Sequence, residues 1–310
     1  MTKTRLFVVG ILLTTAVVCV CLRLGMFQDE TEPQTPPTPP RTIGRTVPVA
    51  AGTFRMGNEL AASPDQQPVH EVFVDRFFID EHEVTNRQFS RFVAQTGYLT
   101  TAEQRGWSYV FDKQEKRWKK TSGADWRHPE GPDSSLVARD DYPVVHVSWH
   151  DATAYARWSG KQLPSEAQWE RAARGGLRDA NYPWGKDELV DGQYRANYRQ
   201  HGKHADADGY ERAAPVKSYS PNPFGLYDMS GNVWEWCADW YDADYYWSSE
   251  DRNPGGPAAG TGRVIRGGSW LSPEDFRLGH HVSTRDSRPP EQTQQHLGFR
   301  CVRRQESNTR

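Results

Sequence analysis

A chain of 310 residues has room for one large domain or two small ones. Its formal net charge is −2 with the signs well mixed, so no basic stripe offers a footing for nucleic acid. Twelve tryptophans, 26 glycines and 21 prolines predict an aromatic core threaded by turns rather than a bundle of long helices.

Lys3 and Arg5 precede an apolar run over 6–22, closed by Arg23. About 17 residues is the lower edge of a membrane span and the upper edge of a signal-peptide core. No small-residue cleavage site follows, and neither Cys19 nor Cys21 has the small residue that precedes a lipoprotein cysteine. An uncleaved anchor over 1–28 is therefore favoured over a removed signal. Positive charge ahead of the run and Asp29, Glu30 and Glu32 behind it place the remainder outside the cytoplasm. Residues 29–46 form a linker whose Pro-rich tract, 33–40, is a semi-rigid spacer. The globular domain is expected over 47–304, with a polar tail over 305–310.

Within the domain, 49–56 reads as a strand, and 69–80 alternates well enough for a second one. Thr85 with Gln88 forms a capping box that opens a helix burying Phe89, Phe92 and Val93 and ending at Gly97. The stretch 100–135 is polar and without period, and 143–149 reads as a strand. Ser148 with Asp151 caps a second helix, burying Ala152, Tyr155 and Ala156. Ser165 with Gln168 caps a third, closed by Gly175 and Gly176. Beyond it turns dominate, up to a strand over 263–270 with a double-glycine bend and a closing strand over 297–302. The class is α+β, rich in coil. Cys237 and Cys301 could pair, although a thiol among tryptophans is more often buried and free.

The stretch 221–240 organises the rest. A bend at Gly231 can gather the Asp228 carboxylate, the carbonyls of Gly231 and Val233 and the Glu235 carboxylate around one point. Such hard oxygen donors suit calcium. The same spacing also suits Asp228 as a turn cap with Glu235 beside a tryptophan cluster.

Ten segments in register carry a resemblance. Among them are Phe54-Arg55-Met56-Gly57, Glu83-Val84-Thr85-Asn86, Trp126-Arg127-His128-Pro129-Glu130-Gly131-Pro132, Leu163-Pro164-Ser165-Glu166, Tyr182-Pro183-Trp184-Gly185, Arg266-Gly267-Gly268-Ser269-Trp270 and Leu297-Gly298-Phe299-Arg300. Together they resemble the formylglycine-generating enzyme family, the sulfatase-modifying factor domain. The resemblance implies a single coil-rich domain akin to C-type lectins with two structural calcium sites. One matches Asp228 (where many members have Asn), Gly231, Val233 and Glu235. The other matches Asn197, Tyr198, Asp208 and Tyr210. The run 204–209 has an EF-hand look, but no Glu stands at the twelfth loop position.

Family enzymes are expected to oxidise a peptide cysteine with oxygen and copper(I), the metal held by two cysteines. Here the matching positions are Ser272 and Arg277, a poor copper(I) ligand and a fixed cation. Ser269 and Trp234 match the family pocket. Copper is therefore not expected. The resemblance leaves three readings. One is a calcium-stabilised module binding an extracytoplasmic protein or peptide. Another is an oxidoreductase like the pyoverdine-maturing branch, with Glu274 and Asp275 as acid–base candidates. The last is formylglycine formation by a non-standard route. The adjacent His280 and His281 read as surface residues.

Overall fold

The computed structural model describes residues 43–59, 61, 63–198, 209–272 and 279–304. The expected anchor and tail, together with Asp208, Glu274, Asp275 and Arg277, lie outside the described residues. Among the described residues no helix is long and apolar enough to cross a membrane.

Two small antiparallel arrangements open the domain. β1 (Thr46–Val49), β4 (Phe77–Asp80) and β11 (Val302–Arg304) form a three-stranded sheet with β4 in the middle, while β2 (Gly52–Met56) pairs with β3 (His70–Val74). Each of the first two strands read from the sequence is thus two. The second divides at the exposed pair Asp75 and Arg76, which lets β3 and β4 join different sheets.

The four-stranded sheet has the order β10 (Leu297–Gly298), β7 (Trp234–Trp240), β8 (Arg263–Arg266), β9 (Arg285–Arg288), with β10 parallel to β7 and the others antiparallel. The expected closing strand is also two pieces. Leu297–Gly298 lies on Trp234 and Glu235, whereas Val302–Arg304 lies on β4. Phe299, Arg300 and Cys301 cross between the sheets, so Arg300 is fully buried at the junction.

Three helices form where their capping boxes place them. Thr85, Ser148 and Ser165 each accept from the backbone three residues on, and open α1 (Asn86–Thr96), α3 (Trp149–Trp158) and α4 (Glu166–Arg174). Between the first two, 100–135 is more regular than its polarity suggests. Thr100 and Glu103 make a further capping box that opens α2 (Thr101–Arg105), and Gly106 ends it in the left-handed region. A hairpin of β5 (Trp107–Asp112) and β6 (Arg117–Ser122) follows. The segment 143–149 is not a strand. Val144 N donates to Val84 O, but His146 has φ 59°, which breaks the extended run before α3.

Two apolar cores result. One packs Phe89 and Phe92 of α1 with Tyr155 of α3, Trp236 and Phe299. The other packs Phe77 and Ile79 with Trp169 of α4 and Met229. Each fully buried aromatic contributes about 1.5–3 kcal/mol. Under α4, Arg266 and Arg285 reach Glu166 and Glu170, with Arg285 Nη2 donating to Glu166 Oε2 at 2.7 Å. Removing one partner of such a buried set costs about 3–5 kcal/mol, so the helix is pinned to β8 and β9. Cys237 and Cys301 are free thiols with no accessible surface, and burial pushes both well above the usual thiol range.

Candidate functional site

The double-glycine bend after β8 builds the pocket. Gly267 and Gly268 have φ of 94° and 75°, and the turn they make brings Ser272 Oγ back to accept from Ser269 N at 2.9 Å. Both serines are buried. Ser269 Oγ accepts from Leu271 N at 3.2 Å and lies 2.8 Å from His296 Nδ1. Trp234 N in turn donates to His296 O. Ser269 thus touches the ring of His296, a residue the sequence reading passed over, while Ser272 is held on Ser269 N and Trp234 is joined to His296 through the backbone. Its signal was a lone histidine directly before Leu297-Gly298-Phe299-Arg300. Burial, with Arg288 and His146 adding, lowers His296 to about 3, so its ring is neutral.

The donor set does not fit copper(I). Where a thiolate is needed, a hydroxyl is engaged with a backbone amide. The sequence between Cys237 and Cys301 holds no cysteine, and those two sit in the apolar cores. His280 and His281 are buried rather than superficial. His280 stacks on Tyr198 with centroids 3.6 Å apart, and burial lowers it to about 3.

The expected calcium residues fit a hard cation in donor type and charge. Glu83, Asp228 and Glu235 surround one guanidinium, Arg300. Burial raises Glu83 well above the usual carboxylate range, Asp228 adding to the push, and burial raises Asp228 as well. Three carboxylates around one guanidinium could all hold their charge only beside a further cation, a role that a divalent ion would fill. Glu235 already accepts from Arg300 Nε and Nη2, both at 2.7 Å, and from Trp169 Nε1 at 2.8 Å, which leaves about one lone pair, on Oε1, for a cation. Among the described residues no three His, Cys, Asp or Glu side chains gather as a ready metal group. At the second expected site, Asn197 donates to Arg212 O and to Asn232 Oδ1. Its own Oδ1 is buried without a hydrogen-bond partner among the described residues, as an oxygen ligand awaiting a cation would be. The two sites share a wall, since Asn232 N donates to Asn197 O at 2.7 Å.

Beside the pocket runs a cleft of about 390 Å³, lined by Asn86, Trp126, Glu130, Tyr142, Trp270 and Gln295 among others. Three of these hold buried polar atoms without a partner among the described residues: Trp126 Nε1, Trp270 Nε1 and Asn86 Oδ1. Two donors and an acceptor left unpaired in one cleft are costly unless something binds there.

This fold and pocket define a coil-rich α+β domain whose double-glycine bend carries two serines in place of thiols. The model of the sulfatase-modifying factor enzyme 1-like domain matches residues 31–305, and the chain belongs to that family. It is 44% identical over 282 residues to a formylglycine-generating enzyme of Thermomonospora curvata, covering 83% of this chain and 92% of the relative. It is 39% identical over 284 residues to an inactive C-alpha-formylglycine-generating enzyme 2 of Bos taurus, covering 83% and 87%. The solved structure of PvdO from Pseudomonas aeruginosa superposes with a TM-score of 0.66 at 27% identity, covering 84% of this chain and 95% of that one.

Proposed function

We propose that this chain is an extracytoplasmic member of the family that binds a protein or peptide partner and does not form formylglycine with copper. The observation that carries the reading is Ser272. Its hydroxyl is tied to Ser269 N at the place of a copper thiolate, while the adjoining cleft keeps its unpaired donors and acceptor. An extended peptide supplies backbone carbonyls and amides that would pair with Trp126, Trp270 and Asn86. Residues 1–28 would tether the domain to a membrane and the Pro-rich linker would hold it off the surface. Calcium held by Asp228, Gly231, Val233 and Glu235, and by Asn197, Tyr198, Asp208 and Tyr210, would supply positive charge that braces the loops. It takes no part in chemistry on a substrate.

A second reading is an oxidoreductase of the pyoverdine-maturing type, favoured by the likeness to PvdO and by the Ser269–His296 pair beside Trp270. Formylglycine formation by a non-standard route draws support from the 44% identity to the bacterial enzyme. One experiment separates formylglycine formation from the other two readings: a synthetic Cys-x-Pro-x-Arg peptide is incubated in air with the full-length protein, with and without copper(I), and its mass is followed. The proposal expects the thiol to persist in both. An aldehyde product contradicts it.

A further inference from the structure

A second cavity, of about 570 Å³, shares no lining residue with the tryptophan cleft. Its walls come from α3, the loop into α4, the end of β7, the β3–β4 turn, residues 253–255 and Arg304. Along α3, Trp149, Thr153, Ala156 and Arg157 follow the three- and four-residue spacing that puts them on one helical face, and all four line the cavity.

The charges here do not cancel. Asp75 is spent on Arg252 and on Asn253, whose Nδ2 donates to it at 2.7 Å. Lys161 is spent on Asp80 and on Ile43 O. Asp239 is spent on Glu166 N, from which it accepts at 2.8 Å, and burial pushes it up to about 7. Arg76, Arg157 and Arg304 remain, and none of them has a carboxylate partner among the described residues. Arg304 lies opposite Phe77 in the β11–β4 register, next in sequence to Arg76. Arg76, its guanidinium 5.5 Å from the Phe78 ring, and Arg304 therefore line the cavity from one sheet end, while Arg157 lines it from the helix. Thr153 adds a buried hydroxyl with no partner among the described residues.

We propose that this cavity binds a small soluble phosphate monoester, its phosphate held by Arg76, Arg157 and Arg304 and its polar body by Thr153. Guanidinium groups present paired N–H donors that match an oxyanion in the plane of the fork. A dianion at neutral pH answers three unpaired cations better than a single carboxylate does. The volume lies in the range of about 300–1,000 Å³ that small-molecule sites occupy, well beyond what a bare ion fills.

Isothermal titration of the full-length protein with glucose 6-phosphate, inorganic phosphate and glucose tests this. Glucose 6-phosphate should bind with a submillimolar Kd that rises with salt, inorganic phosphate at least about tenfold more weakly, and glucose not detectably. Arg157→Gln, Arg76→Gln and Arg304→Gln should each weaken binding of the ester about tenfold with an unchanged melting temperature, since all three side chains are exposed. Thr153→Val should weaken it about threefold. Equal affinity for inorganic phosphate and the ester overturns the proposal, as does binding that survives all three arginine variants. Attachment to phosphatidic acid vesicles without any affinity for glucose 6-phosphate overturns it too.

Discussion

Ser269 Oγ and His296 Nδ1 lie 2.8 Å apart in the interior of the pocket. Ser269 Oγ also accepts from Leu271 N, and its second lone pair or its own proton meets His296 Nδ1 according to the ring tautomer. His296 Nε2 is buried without a partner among the described residues. The family pocket is therefore filled here by a neutral hydrogen-bonded pair, and this arrangement sets a distinctive response to acid.

A histidine lowered to about 3 in the folded state, against about 6.5 in the unfolded chain, contributes its full stability above pH 6.5. That contribution is lost as pH falls toward 3, because the unfolded chain then binds the proton more readily. His296→Asn keeps an acceptor for Ser269 and removes the titration. Below about pH 6, the wild type should lose about 1.4 kcal/mol per pH unit more than the variant. Urea unfolding over pH 7.5 to 4.5 measures the difference, in which other titrating groups cancel. Parallel curves contradict the assignment.

Gly231 is the tightest point of the wall between the two expected calcium sites. A Cβ there would lie 2.2 Å from Asn197 O, on a backbone with φ 74°. Gly106 has the same φ of 74° and nothing within 4 Å. Gly106→Ala should cost about 1–2 kcal/mol, the strain of the left-handed backbone alone. Gly231→Ala adds a clash with backbone and should cost at least about 3 kcal/mol. Equal penalties in chemical denaturation would show that the wall yields.

Removing calcium should lower the melting temperature by several degrees, since an ion present at 100 times its Kd stabilises by about 2.7 kcal/mol. Asp228→Ala and Asn197→Ala should each shrink the drop between calcium and EGTA buffers in differential scanning calorimetry. Identical melting in both buffers would show that neither the carboxylates around Arg300 nor Asn197 Oδ1, which has no hydrogen-bond partner among the described residues, holds a cation.

What the sequence disclosed follows from how local each cause is. Thr85, Ser148 and Ser165 act within one helical turn, so those three helix starts are legible. Thr100 with Glu103 carries the same signal, but the polar run around it hid the short helix and the hairpin beyond. The strands over 69–80 and 297–302 look continuous because alternation does not say which sheet a residue joins. Their division at Asp75 and at Arg300 comes from long-range pairing. The loss of the sulfur ligands is legible as Ser272, whereas His296 lies 27 residues from Ser269 and reaches it only once β10 lies beside β7. The burial of His280 against Tyr198 is hidden for the same reason.

Copper(I) retention tests the central claim most directly. The full-length protein is equilibrated with a coloured copper(I)–bathocuproine complex under anaerobic conditions, and metal transfer is read by absorbance, beside Ser272→Ala. The account predicts that the protein withdraws no copper that Ser272→Ala fails to withdraw, because the pocket offers hydroxyls and a neutral imidazole rather than two thiolates. One equivalent of copper(I) per chain, taken from the chelator and lost in Ser272→Ala, would contradict it.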